Sequence, residues 1–157
     1  MKDRIKFNDA MLTAVMNGRK TQTRRPIKPQ PKVTEDELRK LGAWQDGYTL
    51  SEQVCAAYRH GFIDPDCPYG EIGDIINLAD KDGNIKGKIE ITDVWIQQVN
   101  DISESDAKAE GFDGYENAYS SEFALMWNAI YGTDSWINNE WVWVIEFRRI
   151  DWLSLLN

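Results

Sequence analysis

The sequence is poor in the residues that mark several familiar chemistries. It holds one histidine, His60, and two cysteines, Cys55 and Cys67. A lone imidazole argues against nuclease mechanisms that need a histidine pair. Two cysteines make no disulfide framework, so both read as reduced thiols. Cys55, His60, Asp64, Asp66 and Cys67 follow the spacing C-x4-H-x6-C, which fits no common zinc pattern. No P-loop or dinucleotide glycine motif is present, and neither a metal nor another cofactor is expected. No apolar run approaches the ~20 residues that cross a bilayer. The start, MKDRIKFNDAM, has too short an apolar stretch for a signal peptide. The expectation is a soluble, cytoplasmic protein with no membrane partner.

Proline is nearly confined to one region: four of the five lie in residues 28–69. A broad basic face, which a duplex binder needs, is also missing. The formal charge is −8, yet residues 1–32 hold nine Lys/Arg and two Asp, leaving −15 for the remaining 125. The stretch GRKTQTRRPIKP, 18–29, carries five cations and no acid. A single basic segment suits a localised anion or a short single strand better than long nucleic acid. Pairing with the acidic remainder is the competing reading.

The 157 residues, 42% of them hydrophobic, suit one domain, 1–157, with a sizeable core. Seven tryptophans should be core or pocket wall; Trp95, Trp141 and Trp143 are core by default, and one of them is a candidate base-stacking platform. Arg4–Phe7 alternates like a strand. Asn8 is placed to cap a helix carrying Met11, Leu12, Val15 and Met16 at helical spacing, and Gly18 to stop it. Thr21–Ile27 reads as extended. Residues 30–66 read as an insertion folded over the main body, with helices after Thr34 and around 51–59. Gly73-Asp74 leads into a strand at Ile75–Ala79. In Lys86–Val99, Ile89, Ile91, Asp93 and Trp95 share alternate positions. Ser103 is placed to cap a helix ending at Glu110 and Gly111. Ser120 or Ser121 is placed to cap another. In Trp141–Arg149 the odd positions face one way and the even ones the other. Hairpin-connected strands with interspersed helices indicate an α+β fold, a small mixed barrel surrounded by short helices.

GRKTQTRR after a short helix, CPYGEIGD (67–74), IEITDV, the helix ISESDAKAEGF and the tryptophan-rich SWINNEWVWVIEF (135–147) stand in an order that resembles the ASCH domain family, and most closely its phage- and prophage-associated branch. That resemblance spans roughly 4–29 and 67–149 and implies a PUA-like β-barrel. The strand after Gly73-Asp74 departs from the branch: Asn77, Ala79 and Asp80 stand where an aromatic, a basic residue and a glutamate are usual. ASCH proteins are similar to RNA-binding PUA domains, and a small bacterial member hydrolyses the acetamide of N4-acetylcytidine with a Lys, a Thr and a Glu. The resemblance maps these onto Lys20, Thr23 and Glu110. Arg19, Arg24, Arg25 and Asp80 become candidates for substrate binding.

The chemistry is coherent on its own terms. A threonine hydroxyl attacks an amide only with a base beside it, and a neutral lysine amine is such a base. Burial and the neighbouring arginines push the Lys20 pKa down; Glu110 pushes it up. If Glu110 dominates, Lys20 stays cationic and stabilises an oxyanion instead. Residues three apart on a strand face opposite ways, so Lys20 and Thr23 meet only if a turn or bulge follows Gly18. Each of the three also has a plain reading, as a solvated cation, a strand residue and an exposed helix-end acid. Three functions stand open: an amidohydrolase on an N-acylated cytidine-type nucleoside, a non-catalytic RNA- or nucleotide-binding module, and an accessory protein whose acidic surface meets a basic partner.

Overall fold

The computed structural model describes residues 3–61, 66–112 and 118–150. Strand β1 (Arg4–Lys6) leads into helix α1 (Asp9–Met16) and strand β2 (Gln22–Pro26). Helices α2 (Glu35–Lys40) and α3 (Leu50–Arg59) follow, then β3 (Ile75–Ala79) and β4 (Ile85–Gln98). Helices α4 (Glu104–Ala109), α5 (Tyr119–Tyr131) and α6 (Thr133–Ile137) precede β5 (Trp141–Ile150). One sheet joins the strands in the order β1-β3-β4-β5-β2. Only β1 and β3 run parallel; the other neighbours are antiparallel. The expected α+β mixture is present, but the sheet does not close into a barrel among the described residues. Its edges β1 and β2 share no ladder. A side chain spans the gap instead: Arg25 Nη2 donates to the Lys6 carbonyl at 2.7 Å.

Strand β5 divides the interior. Trp141, Trp143, Ile145 and Phe147 join the larger core with Ile89, Ile91, Val94 and Ile96. Val142 and Val144 face a second core with Phe123 and Trp127 of α5. Helices α2 and α3, within the 30–66 segment, add Leu38, Val54 and Ala57 to the larger core. Asp93 and Trp95 do not continue the face of Ile89 and Ile91, contrary to the alternation read from sequence. Ile91 pairs with Phe147 and Asp93 with Glu146, so Thr92 is an extra residue in the ladder. Such a bulge exchanges the two faces, and Trp95 packs against the second core.

Local signals place the helices that frame the cleft. Asn8 Oδ1 accepts from the Met11 amide at 2.9 Å, and Gly18, with φ +84°, ends the turn after α1. Ser103 Oγ caps α4 by accepting from the Asp106 amide at 3.0 Å. The start of α5 differs from expectation, because neither serine is its cap. The Glu104 carboxylate accepts the amides of Tyr119 and Ser120, both at 3.1 Å, and the Ser120 hydroxyl. A carboxylate at a positive helix end is favourable whichever element supplies it. No helix among the described residues is long and apolar enough to cross a membrane.

Candidate functional site

A cleft of about 270 Å³ opens beside the gap between β1 and β2. Lys6, Phe7 and Asn8 line one side; Lys20, Thr23, Arg24, Arg25 and Glu110 line another; Met126, Trp127, Ile130 and Tyr131 of α5 complete it. No described residue between 30 and 66 takes part. Lys20 lies before β2, bridged to Glu110 at the end of α4. The Thr21 amide donates to the Ala109 carbonyl (2.8 Å), and the Thr21 carbonyl accepts from the Phe147 amide (3.0 Å). Thr21 thus links the end of α4 to β5. Lys20 and Thr23 both line the cleft, but no hydrogen bond joins their side chains: the amine meets Gln22 and Glu110, and Thr23 Oγ1 accepts from Arg25 Nε.

Lys20 is 3% exposed and Glu110 1%. Lys20 Nζ donates to the carbonyls of Gln22 (2.8 Å) and Glu110 (2.9 Å) and to Glu110 Oε1 (3.4 Å). Burial lowers its pKa from 10.5 to about 8; the Glu110 charge opposes this, while Arg25 and Arg24 add to it. The other carboxylate oxygen of Glu110 accepts from Arg24 Nη1 at 3.1 Å. Arg24 Nη1 also reaches Gln22 Oε1 (3.0 Å), Nη2 reaches Asp106 Oδ2 (3.3 Å) and Nε reaches Gln97 Oε1 (3.2 Å). Two cations and two carboxylates therefore balance beneath the cleft. Arg24, a substrate-binding candidate from sequence, has its guanidinium committed to this layer.

Arg25 differs. Its Nε donates to Thr23 Oγ1 at 3.3 Å, its Nη2 to the Lys6 carbonyl, and it meets no carboxylate among the described residues. The guanidinium carbon lies 5.1 Å from the Phe7 ring centroid and 5.9 Å from that of Tyr69. Among the described residues the cleft thus keeps Arg25, like Lys6 on its opposite side, without a carboxylate partner.

Lys20, Thr23, Arg24, Arg25 and Glu110 come together; Arg19 and Asp80 do not join them. Arg19 Nη1 donates to the Gly111 carbonyl (3.0 Å) and its Nε to Asn17 Oδ1 (3.1 Å). Asp80 Oδ1 accepts the amides of Asp82 (3.0 Å) and Asn84 (2.9 Å) in the β3–β4 turn. Asn77 Oδ1, on the divergent strand, accepts from Lys88 Nζ at 2.9 Å. Trp141 and Trp143 are buried core residues, and Trp95 lies 6.0 Å from the Arg59 guanidinium. No group of three His, Cys, Asp or Glu among the described residues is placed to hold a metal; Asp64 lies outside those residues.

Tyr131 lines the cleft without having been singled out from sequence. Its ring packs on Trp127 at 4.3 Å between centroids. Burial holds its phenol above the ordinary pKa, against the pull of Arg25. The i,i+4 spacing to Trp127 is the signal that places the two on one helical face.

Gly111 carries a steric condition on this site. Its φ is +107°, and a Cβ there would lie 2.9 Å from Lys20 Cβ and 3.0 Å from Ala14 Cβ. Gly111→Ala is expected to cost more in urea denaturation than the roughly 1–3 kcal/mol of backbone strain alone. Gly42, at φ +72° with nothing within 4 Å of such a Cβ, is the control. Gly42→Ala carries backbone strain alone, and an equal loss in the two variants would refute the contact with Lys20.

No protein-family model matches the sequence, and no curated protein matches it. Solved structures do. Protein EF3133 from Enterococcus faecalis V583, of the family model DUF984, superposes at a TM-score of 0.54 with 18% identity, over 96% of this chain and 77% of its own. Hypothetical protein PH0355 gives a TM-score of 0.50 with 14% identity, over 96% of this chain and 100% of its own. An ASCH domain from Lactobacillus crispatus JV V101 aligns at a TM-score of 0.49 with 17% identity, over 90% of this chain and 70% of its own. The first two share the fold of this chain.

Proposed function

We propose that the cleft takes the base of an N-acylated cytidine-type nucleoside and hydrolyses its exocyclic amide. The observation that carries this reading is a buried lysine amine, its pKa lowered to about 8, lining the same small cleft as the Thr23 hydroxyl. The resemblance to ASCH domains in GRKTQTRR and around Glu110 supports it. Neutral Lys20 takes the Thr23 proton as Oγ1 attacks the acyl carbon. The lysine then returns a proton to the exocyclic nitrogen as the C–N bond breaks. Water releases the acid from the threonine ester. Glu110 holds Lys20 in place, and Arg25 stabilises negative charge developing near Thr23.

The test is conversion of N4-acetylcytidine to cytidine, followed chromatographically. Turnover should rise with pH through about 8, because the base works unprotonated, and fall to background in Lys20→Ala and Thr23→Ala. No turnover, or full turnover in Thr23→Ala, removes the hydrolytic reading.

One observation favours a second reading. Lys20 Nζ meets three acceptors, matching the three N–H groups of an ammonium. A permanently protonated Lys20 makes the cleft a non-catalytic module for nucleotides or RNA. Cytidine binding would then survive Thr23→Ala, with no turnover at any pH.

A further inference from the structure

A second hollow adjoins the first. It measures about 660 Å³, and Arg25 and Tyr131 line both. Lys28, Tyr69 and Trp143 also line it, with Asp66 its one lining carboxylate among the described residues. The geometry points to a phosphate-ester subsite in this groove, so that the ligand of the cleft is a nucleotide rather than a bare nucleoside; this rests on the base-binding reading above.

Three features converge on it. The small cleft lies just below the ~300–1,000 Å³ usual for a ligand site, and the two hollows together fall within that range. Arg25, at their junction, spends Nε on a hydroxyl and Nη2 on a carbonyl. Its Nη1 meets no acceptor among the described residues, and a guanidinium with an open edge next to aromatic rings is suited to a phosphate oxygen. Lys28 is exposed and makes no ion pair among the described residues, so its ammonium is available to the same anion. A base seated against Tyr131, which lines both hollows beside Arg25, would place its sugar at their junction. The phosphate is either the monoester of a mononucleotide or a diester in a short strand; both present the same anionic oxygens.

Calorimetry with cytidine, cytidine 5′-monophosphate and a trinucleotide with central cytidine separates these cases. Cytidine 5′-monophosphate should bind about tenfold or more tightly than cytidine at low salt, as one charge-assisted contact provides. That ratio should fall towards one in Lys28→Gln and at high salt, and increase in Asp66→Asn. A gain confined to the trinucleotide assigns the subsite to a strand. Equal affinity for all three ligands, or a ratio unchanged in both Lys28→Gln and Lys28→Glu, overturns the inference. These affinities are independent of turnover: a phosphate-dependent gain without N4-acetylcytidine hydrolysis sinks the hydrolytic reading and leaves the subsite standing.

Discussion

Replacing Glu110 with glutamine is expected to destabilise the protein by about 3–5 kcal/mol. At this size that corresponds to a fall in Tm of roughly 6–20 °C. The shape of the side chain is kept and only its charge is removed. Glu110 is 1% exposed, and its two oxygens serve different cations, Lys20 and Arg24. Without it, Lys20 has no carboxylate partner among the described residues, and Arg24 keeps only Asp106, whose side chain is 30% exposed. Water already screens part of that second pairing, so Asp106→Asn should cost only about 1 kcal/mol or less. Urea denaturation of both variants checks the contrast. A Glu110→Gln protein as stable as the parent would show that neither cation depends on this carboxylate.

The second large effect is a pH dependence that Lys20 imposes on stability. In the unfolded chain its amine titrates near 10.5; in the native protein burial brings it to about 8. Below about 8 both states hold the proton, and the native state bears the whole cost of a buried charge. Between about 8 and 10.5 the native amine is neutral while the unfolded one is still charged. The unfolded chain then binds more protons, and stability rises with pH. The full gap is worth about 3 kcal/mol. Burial raises the pKa of both the Tyr131 phenol and the Cys67 thiol. Those groups act the other way, losing stability as pH climbs through their unfolded values. Lys20→Met keeps both, so the difference between parent and variant isolates the amine. Denaturant midpoints at pH 7 and pH 10 should show a parent gain that the variant lacks. Equal shifts would refute the buried, depressed lysine.

What could be read from the sequence was local. The Asn8 and Ser103 caps, the glycine stop at 18 and the alternation of Trp141–Phe147 act within a few residues of themselves. The bulge at Thr92 escaped because strand alternation shows periodicity and not the one position where a partner strand skips. The α5 cap escaped because its carboxylate comes from Glu104, fifteen residues before Tyr119. Lys20, Thr23 and Glu110 were linked by resemblance; no spacing rule joins positions ninety residues apart. Arg24 and Arg25 are adjacent in sequence and look alike there. Strand geometry sends Arg24 down to Glu110 and Asp106 and Arg25 towards Phe7 and Tyr69. Asp80 belongs to a turn because its side chain caps the backbone of the Asp82–Asn84 reversal.

The Arg25 contact to Lys6 has a cost for the molecule. One guanidinium ties the outermost strand to the opposite margin of the sheet and also lines both hollows. An anion held by Nη1 alone leaves the edge contact in place, whereas one that also takes Nη2 competes with the Lys6 carbonyl for it. An anion that draws Arg25 away leaves the three residues of the first strand secured on their third-strand flank alone. For such an anion, ligand capture and loosening of the N-terminal edge are two sides of one equilibrium.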